Sequence, residues 1–132
     1  MKKLLSFMLA IVCILTLISC STADSSKGDT HNSAEEKQIT VKVVDDKKQE
    51  EVFTITTKAE MLGDAVDEIN LVQGEEGQYG MFMKTVNGVT VNDANQEWWC
   101  LTKNGGEEVM TGIDSTPIAD GDTFEITFTV GY

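Results

Sequence analysis

Two adjacent tryptophans, Trp98 and Trp99, are the side chains in this sequence best suited to holding a ligand. An indole outside the core is a flat apolar platform for a ring system or a partner surface. Neighbours in an extended segment point to opposite faces, so one indole is expected in the core and the other at the surface or a rim. Pairing Trp99 with Leu101 puts those two inside and leaves Trp98, Cys100 and Thr102 outside. A second apolar cluster, Tyr79, Met81, Phe82 and Met83, follows a Gly-rich loop. Phe82 is expected in the core. Met81 and Met83 share the opposite face, either as adaptable contacts or as packing under the loop.

The carboxylates suggest less. Asp120-Gly121-Asp122 could hint at calcium, but a good calcium loop draws six to eight oxygens from several positions. Two carboxylates around a glycine read as a tight turn. Asp45-Asp46, Glu75-Glu76 and Glu107-Glu108 read as solvated turns. Nothing in the pattern drives two carboxylates into an apolar pocket for acid–base work. The chain's one His, His31, lies far from the apolar stretches, so a Ser-His or Cys-His pair is not available to them. The expectation is that the protein is not an enzyme and holds no metal. The ten basic residues are all Lys, and the net charge of −12 argues against nucleic acid and against attraction to an anionic bilayer surface.

The N-terminus reads as an address. Lys2 and Lys3 precede an apolar run from Leu4 to Ile18, too short to span a bilayer but right for a signal-peptide h-region. Leu17-Ile18-Ser19-Cys20 is similar to a bacterial lipobox. That resemblance implies that residues 1–19 are removed and that Cys20 carries the lipid of a cell-membrane lipoprotein facing outward. Two acyl chains suffice for stable anchoring. Residues 20–37 are Cys20 and a polar stalk, Ser21 to Lys37, with no aromatic or large aliphatic residue, and its 17 residues reach roughly 20–25 Å. Cys13 leaves with the signal and Cys20 is consumed by lipid, so Cys100 is the single thiol of the remaining domain and no disulfide forms there.

Residues 38–132 are enough for one core without staples. Ile39-Thr40-Val41-Lys42-Val43 alternates as a strand, with Asp45 to Gln49 as its turn. Val52 to Thr56 follows, with Phe53 and Ile55 inward. Met61, Leu62, Ala65, Val66 and Ile69 then form a helical stripe. Thr57-Lys58-Ala59-Glu60 has the form of a capping box, so the helix is expected from about Lys58, with Gly63 packed closely on a sheet. Gln73 to Gln78 reads as a loop and Gly80 to Val86 as a strand ending at the Asn87-Gly88 turn. Trp98 to Thr102 is a strand closed by Asn104-Gly105-Gly106. In the last strand Phe124, Ile126, Phe128 and Val130 face in. The fold class is α+β: a β-grasp-like mixed sheet of about five strands in the order β-β-α-β-β-β, one helix on one face, and the first and last strands adjacent at the centre.

The run of Tyr79 to Gly88 ending in Asn-Gly, then Glu97-Trp98-Trp99 leading to Lys103-Asn104-Gly105, Thr111-Gly112-Ile113 and Asp120-Gly121-Asp122, resembles the bacterial transcobalamin-like C-terminal domains (DUF4430). These are similar to the small β domain that closes over cobalamin in animal vitamin carriers. The resemblance implies ligand capture rather than catalysis, with cobalamin or another planar molecule as ligand. Trp98, Trp99, Tyr79 and the loop at Gly112 would bind it. The carriers' large α/α-barrel domain is missing from these 132 residues, so a second chain would complete such a site. The alternative expectation is a surface module that binds a protein or glycan through a sheet edge and holds no small molecule.

Overall fold

The structure is a computed structural model, and it describes residues 35–132. The expected signal peptide, Cys13, Cys20, His31 and nearly all of the expected stalk lie outside the described residues. Ser33–Tyr132 forms a compact unit by itself. Its buried apolar cluster runs from Ile39 to Phe128, and no buried side-chain polar atom in the described residues lacks a partner.

Strands β1 (Lys37–Val44) and β2 (Glu50–Thr57) form the first hairpin. Asp45 closes its turn by accepting the Lys47 and Gln49 N–H groups on Oδ1. The last strand, β8 (Thr123–Val130), lies parallel to β1, and β6 (Glu97–Lys103) lies antiparallel to β8. With the two-residue β7 (Glu107–Glu108), these make a mixed five-stranded sheet in the order β2-β1-β8-β6-β7. Alternation sets its inner face: Ile39, Val41, Val43, Ile55, Leu101, Phe124, Ile126 and Phe128 are buried. Phe53 is only half-buried, and Val130 stands 65% exposed because the strand ends beyond the covered area.

The single α-helix among the described residues, α1 (Leu62–Asp67), is shorter than the stripe suggests. The expected capping box does not form. Thr57 is buried and its Oγ1 accepts the Ala59 N–H while donating to Glu68, which holds the chain in a turn. The helix starts instead where Leu62 N–H donates to the Thr116 carbonyl and Ile118 N–H to that of Glu60. Leu62, Ala65 and Val66 are buried in the core, whereas Ile69 lies past the helix end and is 43% exposed. Gly63 does pack closely, but against a 3-10 turn: a Cβ there would stand 2.8 Å from the Asp114 Cα.

Residues 73–78 are not a loop. Strand β3 (Val72–Gly77) pairs with β4 (Gly80–Val86), which pairs with the short β5 (Val89–Thr90) across Asn87-Gly88. This three-stranded sheet is separate from the first, so Gly80–Val86 does not join the main sheet as expected. A register shift between Gln73 and Gly74 accompanies a reversal of the expected facing. Met83 is buried and Phe82 is 45% exposed.

Candidate functional site

The second sheet is fastened to the segment after β7 by a short clamp. The tip of the β3–β4 hairpin is Gln78-Tyr79, and the Tyr79 carbonyl accepts the Gly112 N–H at 3.0 Å. Next along β4, Met81 N–H donates to Asp114 Oδ1 at 2.9 Å. This approach needs glycine on both sides. Gly80 has φ +104, and a Cβ on it would lie 2.4 Å from Asp114 Oδ1; one on Gly112 would lie 2.8 Å from the Gly80 Cα.

Between the clamp, β4 and β6 lies a cavity of about 290 Å³. Met83, Trp99, Leu101 and Ile113, all buried, line it from below. Its rim is apolar and exposed: Tyr79 at 77%, Phe82 at 45% and Met110 at 80%. Exposed large apolar side chains gathered at one place mark interaction sites far more than the same residues scattered singly. Trp99 is fixed edge-on against Phe128, with ring centroids 5.4 Å apart, and its Nε1 donates to the Lys84 carbonyl at 3.4 Å. Trp98 is half-buried, and its Nε1 donates to the Gly131 carbonyl at 2.8 Å. All four residues singled out from sequence, Tyr79, Trp98, Trp99 and Gly112, line this one cavity. Trp99 points inward and Trp98 outward, as the pairing with Leu101 suggests.

Sequence reasoning missed Val109, Met110 and Ile113 on the far wall, and Asp114 as the clamp. A lone Met after a short acidic strand carries no periodic signal, and Asp114 matters only through a partner 33 residues away. Glu107-Glu108, read as a turn, is strand β7, and Glu108 lines the cavity.

No lysine lines the cavity, and the nearby ammonium groups are already paired. Lys84 meets Asp93, whose hydrogen bond raises its pKa against the opposing effect of desolvation, and it lies 4.9 Å over the Phe82 ring. Lys103 meets Asp122 at 2.8 Å. Partial burial works against the Asp122 carboxylate, but hydrogen bonds from Lys103 and the Ala119 N–H outweigh it and hold its pKa below the ordinary range. On the outer face of the sheet, Lys42 sits 2.7 Å from Glu125 and lowers the pKa of that carboxyl. Burial, together with Glu108 and Glu125, raises the Cys100 thiol, the opposite of what a nucleophile needs. Among the described residues no group of three or more His, Cys, Asp or Glu side chains is placed to hold a metal ion.

The chain belongs to the DUF4430 family, described as a domain of unknown function, which matches residues 59–130. A structure from Ruminococcus gnavus, provisionally designated a metal binding protein, is 49% identical. It covers 74% of this chain and 100% of its own, with a TM-score of 0.71. Haptocorrin in complex with Cbi shares 16% identity and a TM-score of 0.64. That match covers 86% of this chain but only 29% of haptocorrin, and at this identity it is a likeness of fold. No curated protein matches the sequence.

Proposed function

We propose that this protein is an outward-facing bacterial lipoprotein, anchored through Cys20, whose domain captures a ligand without chemical turnover. One observation carries the reading: a small cavity with a buried apolar floor and an exposed aromatic and thioether rim. A planar apolar group entering it would lie against Trp99 and be gripped by Tyr79, Phe82 and Met110. A rigid floor loses little entropy on binding, while an unbranched Met adapts its shape. The Cys100 thiol, which burial and the nearby Glu108 and Glu125 carboxylates hold in its neutral form, supports capture over catalysis.

The specific candidate is a corrinoid. It rests on the likeness to haptocorrin, together with the central parallel pair β1–β8 and the helix on one face, which support a β-grasp-like reading of the fold. A cavity of about 290 Å³ lies at the small end of ligand sites, so the domain would grip one edge of a corrinoid and a second chain would cover the rest. The test is calorimetry of Ser33–Tyr132 with cobinamide and with cobalamin. The reading expects saturable heat that is lost when Tyr79, Phe82 and Met110 are replaced by Ser. For the anchor, Cys20→Ser should release the protein into the medium and remove the lipid mass from its N-terminus.

A further inference from the structure

One wall of the cavity is an unfinished sheet edge. In an antiparallel pair, alternate residues send both N–H and C=O to the partner, and those between send them to the other side. Two bonds set the parity of β6 against β8. Gly131 N–H donates to the Gln96 carbonyl at one end, and Asn104 N–H to the Thr123 carbonyl at the other. Trp98, Cys100 and Thr102 therefore pair into β8. Trp99 and Leu101 direct their main-chain groups away from β8, toward the side where the cavity lies. There the residue just after β7 contributes only the Val109 N–H, which reaches the Leu101 carbonyl at 2.9 Å. Among the described residues, the Trp99 N–H, the Trp99 carbonyl and the Leu101 N–H have no hydrogen-bond partner, though both side chains are buried. Main-chain groups that face a cavity are satisfied by water or by an incoming partner, so this edge is free to accept one.

The opening defines that partner's chemistry. A donor and an acceptor on one residue, with a second donor two residues along on the same side, match the spacing of an extended peptide. The apolar floor takes a side chain that alternates inward from it. Glu108 on the cavity wall, with Glu107 next to it on β7, favours basic residues where the segment leaves the cavity. We infer that this cavity accepts a short extended peptide segment, basic at its flanks, which adds to β6 as a partial strand and seats one apolar side chain over Trp99. This goes beyond corrinoid capture and uses the same cavity.

The chain has two tryptophans and both line the cavity, so intrinsic fluorescence reports the site directly. The probe is a doubly capped Lys-Val-Phe-Val-Lys peptide titrated into Ser33–Tyr132. A set of variants carries one N-methyl group at each backbone amide in turn. The expected result is saturable binding in which methylation costs about tenfold or more at alternate amides and little between them, because only every second amide faces β6. Added cobinamide should compete. Binding with no alternation overturns the inference, as does absence of peptide binding while cobinamide still binds; in that last case the corrinoid reading stands. If neither probe binds, both fall.

Discussion

The inner face of the five-stranded sheet and the wall between β4 and β6 use the same kinds of residue to different ends. On the sheet, Ile39, Val41 and Ile126 are wholly buried, in one cluster with Leu62 and Val66 of α1 and with Ile113 and Ile118. Around the cavity, Tyr79, Phe82 and Met110 remain open because the elements beside them stop short: β7 has two residues, and the 3-10 turn at Ile113–Ser115 three. Apolar character alone therefore does not separate core from binding surface. What separates them is whether the neighbouring element is long enough to cover the side chain. The sheet provides the stability of the fold, and the cavity region spends little of it.

Substitutions can break or sharpen this contrast. The largest expected effects are in the core: Ile126→Ala should cost about 2–5 kcal/mol in urea unfolding, since it leaves a void in the core. Trp99→Ala should cost a similar about 3–5 kcal/mol because the indole is floor as well as core. Trp98→Ala, which loses one hydrogen bond and half-buried area, should cost only about 1–2 kcal/mol. If Trp98 proved the costlier of the two, the inward and outward assignments would be reversed.

Gly80→Ala should act between the two regions. Its φ is left-handed and its Cβ would strike Asp114, so the clamp must open. Stability should fall by about 1–3 kcal/mol, and faster amide exchange should be confined to 78–83 and 110–115. The triple rim variant, with Tyr79, Phe82 and Met110 replaced by Ser, should change stability by less than about 0.5 kcal/mol at each site.

The smallest effect is acid sensitivity. Glu125 and Asp122 have folded pKa values below their ordinary 4.5 and 3.8. Their contribution is present above those values and is lost as pH falls through the lower folded ones. A thermal scan should show a slight loss of Tm below about pH 4, reduced in Lys103→Ala; both pairs are solvent-screened, so the step is small.

How legible these regions are in the sequence follows the same contrast. The hairpin β1–β2, the alternation of β8 and the Asn87-Gly88 turn follow from local period and turn chemistry, and the structure has them. The facing of Trp98 and Trp99 follows from strand parity. Phe82 and Met83 do not, because their facing depends on how a second sheet docks, and a register shift at Gln73/Gly74 is invisible in a Gly-Glu-Glu-Gly string. The helix start was masked in a similar way: Thr57 uses its hydroxyl for a turn, and the first helical N–H is satisfied by Thr116, 54 residues away in sequence. Trp98, Trp99 and Tyr79 could be picked out as residue types, and Gly112 through the family resemblance. The clamp that brings them together could not, since the Asp114 contact with Met81 N–H exists only across the fold.

The most direct test of the account is calorimetry of Ser33–Tyr132 with cobinamide, run side by side on the native sequence and the triple rim variant, with melting curves on both. The account predicts one-to-one binding to the native protein, loss of that binding in the variant, and matching melting curves. Equal binding by both proteins would place the ligand elsewhere and contradict the assignment of this cavity as the site of capture.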